Sequence, residues 1–229
     1  MRPPPDYANW CNQVQGTVNE DYRCLQNPEK ESLHKALLTE QGGLCAYTMR
    51  RVVKDTSHIE HIKPETLCRS ERVGSDLDYD NLVACFPLEG AKQKYRYGAQ
   101  QKGDWWENEG TDFVSPLNQR CESRFRFDLE GKISAVRKHT SALKTIQILR
   151  LDHDSLTEDR KRVIEEFVYG NSRDNPISGA KTARLIETIC ARDADGNFRE
   201  FCVAVRHALN EHWKNLKKLA ARRRFAGTR

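Results

Sequence analysis

The chain has 229 residues, 31% of them charged, with a net charge of +5 and a pI near 8.7. That length suits one domain or two small ones, and the mild basicity is compatible with a polyanionic partner without requiring one. No apolar run approaches the roughly 18 residues of a membrane span, and Met1–Tyr7 has no secretory apolar stretch, so the expectation is a cytoplasmic protein without a membrane partner, its eight cysteines mostly reduced and buried.

In chain order, residues 1–28 are polar, with isolated aromatics (Tyr7, Trp10, Tyr22), and read as a docking arm. Residues 29–41 have Leu33, Leu37 and Leu38 at helical spacing and stop at Gly42-Gly43. Residues 44–53 and 57–62 read as strands, and 82–86 as a short apolar strand after turn chemistry at Asp76–Asp80. The basic stretch 89–104 should be a loop passing into a helix. Alternating Arg124, Phe125, Arg126 and Phe127 before Glu130-Gly131 predicts a hairpin. From 139 the pattern is helical: a helix over 140–151, and a capping box at Ser155–Glu158 opening another. Residues 170–176 read as a linker. The last long helix is expected from Asn197, with an apolar stripe through Phe201, Val205, Leu209 and Trp213. It ends in a basic run that includes Arg222, Arg223 and Arg224, either a solvated helix end or a contact for phosphate or a partner.

Chemistry concentrates in Ile59-Glu60-His61-Ile62-Lys63-Pro64, then Tyr79-Asp80-Asn81-Leu82, then Gln101-Lys102-Gly103-Asp104. A carboxylate can hold a divalent metal. An imidazole, with a pKa near about 6.5, can deprotonate water near neutral pH. An amide on a later turn can fix the geometry. This set suits phosphodiester hydrolysis.

The ordered motifs resemble the ββα-metal hairpin of HNH endonucleases. By that resemblance His61 is the general base, Glu60 a metal ligand and Asn81 the orienting amide. Leu44-Cys45-Ala46-Tyr47, Cys85, Lys102-Gly103-Asp104 and Ser115-Pro116-Leu117 narrow the likeness to PtuB-type proteins of Septu and retron antiphage systems. The likeness spans about residues 29–133. It implies a nucleic-acid-cutting effector restrained by a PtuA-type ABC ATPase, and in a retron a reverse transcriptase with its small DNA.

Two departures qualify the likeness. The family's structural zinc needs four ligands. Thr48 stands where a second thiol would follow Cys45, and Tyr97-Gly98-Ala99 where a partner of Cys85 would lie, so no zinc is expected. Gln100 stands in place of a metal-binding histidine. It is either a weak ligand for Mg2+ or Mn2+ or a solvated helix residue. Lys102 is a phosphate clamp or a plain surface lysine. His58, three residues before His61, falls on the opposite strand face and reads as structural or exposed. Trp105-Trp106 could stack on a base or belong to core or interface.

The resulting expectation is an α+β protein with a ββα-metal nuclease centre embedded among helices. The arm is 1–28, the nuclease module 29–138 and the helical region 139–229. The expected activity is metal-dependent endonucleolytic cleavage of DNA or RNA. The rival is a degenerate HNH module that binds or docks on the ATPase without cutting.

Overall fold

The computed structural model describes residues 2–170 and 176–226, with side chains of the last helix as far as Arg222. The linker expected at 170–176 therefore lies almost wholly outside the described residues, as do the side chains of Arg223 and Arg224. The protein is α+β: two small antiparallel sheets among helices.

The N-terminal helix α1 (Pro5–Val14) begins on proline at its first turn, where a missing N–H costs nothing. Helix α2 (Glu29–Glu40) follows, burying Leu33 and Leu37 and stopping at Gly42-Gly43 as the sequence predicts. Strands β1 (His58–His61) and β2 (Leu82–Cys85) pair antiparallel, with His61 opposite Leu82 and Glu60 opposite Val83. Between them lie α3 (Glu65–Glu71) and two short 3₁₀ turns.

Strand β2 is buried on both faces, and this sets the layout of the site. Leu82 and Ala84 join a smaller core with Tyr7, Tyr22, Leu25, Leu33, Leu37 and Tyr79. Val83 and Cys85 join the main core, where Tyr47 and Val52 meet the C-terminal helices. Residues 1–28 thus contribute side chains to a core shared with α2 and β2.

One turn, α4 (Ala99–Lys102), ends the long loop after β2. Strands β3 (Phe125–Phe127) and β4 (Ile133–Ala135) form the predicted hairpin. Its Gly131 lies so close to the helix beyond that a Cβ would stand 2.6 Å from the Thr157 carbonyl oxygen. Helices α5 (Thr140–Leu149), α6 (Asp154–Tyr169), α7 (Gly179–Thr188) and α8 (Cys202–Ala226) complete the chain. Fully buried Arg160 donates to the carbonyls of Gly131 and Leu151, tying α6 to the hairpin.

Three expectations are corrected. Residues 44–53 form a tight turn closed by a single Leu44–Arg51 bridge, with Met49 at φ 61°, rather than a strand. Helix α6 is capped by the His153 ring, not Ser155. Helix α8 starts at Cys202 rather than Asn197: Phe201 adopts φ 52°, and the Glu200 carboxylate turns back to accept from the Arg51 N–H.

Candidate active site

Alternation along β1 places His61 and Glu60 on opposite faces of the sheet, each built by a different core. His61, the last residue of the strand, faces the smaller core. It is 8% exposed, and the Tyr22 ring meets it edge-on with centroids 4.6 Å apart. Its Nε2 lies 2.8 Å from the backbone oxygen of Asp76. A carbonyl only accepts, so Nε2 carries the proton, and in the neutral ring Nδ1 keeps its lone pair. Burial pushes the His61 pKa below its ordinary value, against the opposing pull of the Asp76 carbonyl and of the Glu60 and Asp76 carboxylates. The neutral form is therefore the resting state near pH 7.

The 3₁₀ turn Ser75–Leu77 that presents this carbonyl is itself anchored. Asp76 is fully buried, and its Oδ2 accepts from the Tyr22 N–H at 3.0 Å. Asp21, Glu65 and Asp76 converge around the Arg69 guanidinium, which pairs with Glu65 and lies 3.7 Å from Asp76 and 3.9 Å from Asp21. These groups tie the N-terminal segment and α3 to the turn behind the imidazole.

Glu60 faces the main core. Its Oε1 is 3.1 Å from the Lys102 ammonium and 3.5 Å from the Tyr47 hydroxyl, and its Oε2 is 3.4 Å from His58 Nε2. The Lys102 side chain is 1% exposed, and its Nζ also donates to the carbonyls of His61 and Gly103. Lys102 is thus not a surface lysine. Its charge is held inside by the carboxylate and two carbonyls, as a buried ammonium requires.

His58 shares the Glu60 face, since residues two apart on a strand point the same way. Its Nδ1 contacts the Pro87 carbonyl. Burial works against charging His58, yet the hydrogen bonds to Glu60 and Pro87 raise its pKa overall. Sequence reading set His58 aside because it opposes His61. The same alternation pairs it with Glu60, which was the available signal.

Asn81 brackets the backbone just beyond the strand. Its Oδ1 accepts from the Lys63 N–H at 2.8 Å, and its Nδ2 donates to the Lys63 oxygen at 2.9 Å. The amide so fixes the direction in which the chain leaves His61. Gln100 is exposed, and its amide oxygen accepts from the Tyr95 N–H at 2.7 Å. On this face of the sheet, Glu60 and His58 can offer a divalent ion a carboxylate oxygen and an imidazole nitrogen at one place. A sparse set of this kind fits an ion that keeps several waters.

Cys45, Thr48, Cys85 and Gly98 come together in the main core. The Cys45 and Cys85 thiols hydrogen-bond, and a Cβ on Gly98 would lie 3.3 Å from the Thr48 methyl. Burial would raise the Cys45 pKa, but hydrogen bonds from Cys85, Thr48 and the Phe86 N–H bring it down to about 6. Two thiols and a hydroxyl do not make a tetrahedral zinc set.

Trp105 and Trp106 are half-buried against the main core, Trp105 tilted on Phe113 at 6.3 Å. Lys214, Lys218 and Arg222 are exposed along α8, and Lys217 lies over the Trp213 ring.

No family model matches the chain. It is similar to the "Retron Vc95 putative HNH endonuclease" of Vibrio cholerae serotype O1 biovar El Tor, 28% identical over 162 residues, which cover 68% of this chain and 73% of that relative. No helix among the described residues is long and apolar enough to cross a membrane.

Proposed function

We propose that the chain is a metal-dependent HNH endonuclease that cuts nucleic acid as the effector of a retron or Septu antiphage complex, with a PtuA-type ATPase as its partner. The observation that carries this reading is His61: a buried neutral imidazole, its Nε2–H committed to the Asp76 carbonyl, one residue from the Glu60 carboxylate. Similarity to a retron HNH protein supports it.

Nδ1 of His61 takes the proton of an attacking water, and the imidazolium so formed keeps its Nε2–H bond to Asp76. The ring does not turn during the transfer, because Tyr22 on one side and the Asp76 carbonyl on the other hold it. A divalent ion held by Glu60 and His58 would supply charge stabilisation to the phosphate and the leaving oxygen. Glu60 and His61 leave the strand on opposite faces, so a phosphate reaching both sits beyond the strand's C-terminal end. There Asn81 fixes Lys63. Lys102 orients Glu60 and offsets its charge.

That last contact also favours a second reading. The Lys102 ammonium already neutralises Glu60, and Gln100 is engaged elsewhere, as in a degenerate HNH module that docks on the ATPase without cutting.

Cleavage of supercoiled plasmid and of total RNA in Mg2+ or Mn2+, by the protein co-expressed with its ATPase, separates the two. His61→Ala should lower the rate by about 10²–10⁴-fold while leaving folding and complex formation intact. Equal cleavage by the variant and the wild type would remove His61 as the base. Absence of cleavage by the wild type under all these conditions would favour the degenerate module.

A further inference from the structure

The loop between β2 and α4 carries Lys94, Tyr95, Arg96 and Tyr97 in direct succession, and it folds into one wall of a cavity of about 440 Å³. The opposite wall is Arg50 from the tight turn and His153 from the cap of α6. No acidic residue among those described lines this cavity. Its volume lies within the range of about 300–1,000 Å³ common for small-ligand sites.

The lining has a rigid floor and a free rim. Tyr97 is 3% exposed, and its hydroxyl is fixed by the Arg50 guanidinium. Arg50 also pairs with Asp159 at 3.0 Å and lies 5.0 Å from the Phe86 ring. Phe86 and Tyr95 meet edge-on at 4.5 Å, and His153 stands 5.5 Å from Tyr97. At the rim, Lys94 and Arg96 are exposed and make no hydrogen bond or ion pair with any described residue. The site therefore offers π-faces held in place and two uncommitted cations.

The geometry points to a binding site for a single-stranded nucleic acid, with an unpaired base against Tyr95 and His153 and the flanking phosphates on Lys94 and Arg96. Flat aromatic faces accept a base only when it is out of its stack, which selects a single strand or a splayed loop over a regular duplex. Uncommitted cations at the rim suit phosphate, which draws much of its binding energy from charge. This inference rests on the nuclease reading for its place in the reaction. The same loop ends in α4, whose Lys102 holds Glu60, so a strand gripped here is led toward the proposed centre.

Fluorescence anisotropy of labelled oligothymidylate and oligouridylate, on the full-length His61→Ala protein in EDTA over a range of salt, measures the site without cleavage. Lys94→Ala/Arg96→Ala should weaken binding and flatten the slope of log affinity against log salt by about 1.4, at about 0.7 for each lost single-strand phosphate contact. Tyr95→Ala should weaken binding about fivefold or more with the slope unchanged, because stacking releases no counterions. Wild-type affinity and slope in the doubly substituted protein, whose changes lie at exposed positions, would overturn the assignment. So would thymidine 5′-monophosphate displacing the oligomer at equal concentration, which would make this a nucleotide pocket instead of a strand site. A protein that binds as described yet never cleaves would sink the nuclease reading alone.

Discussion

Substituting Lys102 by methionine keeps the length of the side chain and removes its charge. The ammonium is 1% exposed and holds three oxygens: Glu60 Oε1 at 3.1 Å, the His61 carbonyl at 3.1 Å and the Gly103 carbonyl at 3.3 Å. Breaking a buried ion pair from one side costs roughly 3–5 kcal/mol, because the remaining charge is left uncompensated. Glu60 keeps 16% of its side-chain surface and has His58 beside it to share a proton, so the cost should fall at the lower end, about 3 kcal/mol. In a chain of this size each kcal/mol moves the melting temperature by about 2–4 °C, giving a fall of about 6–12 °C. Glu60→Gln in the same chain removes the stranded charge, so the double variant should be at least about 1 kcal/mol more stable than the two single losses added together. Circular dichroism melts and urea unfolding of the four proteins test this. A lysine that only met substrate phosphate would change melting by less than about 0.5 kcal/mol while still impairing cleavage. That result, or strict additivity in the double variant, would refute the buried-pair account.

Two further outcomes follow from the site. Cleavage needs His61 unprotonated, so activity is present above its pKa and lost as pH falls through it. Burial lowers that pKa, so the acid limb of kcat/KM should lie below the ordinary imidazole value of about 6.5; a limb above that value would exclude His61 as the titrating base. The purified protein should hold less than one equivalent of zinc, since Thr48 and Gly98 stand where thiols would be expected to join Cys45 and Cys85. Elemental analysis finding a full equivalent that survives mild chelation would contradict this.

What could be read from sequence was what depends on near neighbours. Leu33 and Leu37 with the Gly42-Gly43 stop give α2, and the apolar run at Leu82–Cys85 gives β2. Arg124–Phe127 before Gly131 gives the second hairpin. Glu60, His61 and Asn81 stood out because their motif is local and ordered. The contacts that give those residues their chemistry are not local. Tyr22 against His61, the Asp76 carbonyl on Nε2 and Lys102 on Glu60 join segments far apart in the chain, and no periodicity encodes them. Helix α7, which begins just past the stretch read as a linker, was not anticipated; the Ser178 side chain caps it. The start of α8 was misplaced because Glu200 resembles a capping-box residue, whereas its carboxylate serves Arg51 across the fold.

The tight turn over residues 42–51 is braced by contacts that reach across the fold. The Arg51 guanidinium donates to the carbonyls of Gly42, Gly43 and Phe198, and the Glu200 carboxylate accepts from the Arg51 N–H. Backbone bonds run from Phe198 N–H to the Gly42 oxygen and from Phe201 N–H to the Met49 oxygen, at 2.9 and 3.1 Å. The left-handed Phe201 that displaces the start of α8 is the residue that makes the second of these. The segment before α8 therefore grips the turn by its main chain. The same turn carries Arg50 into the loop cavity and Tyr47 to Glu60. Stability supplied by the segment before α8 is in this way delivered to the residues nearest the proposed chemistry.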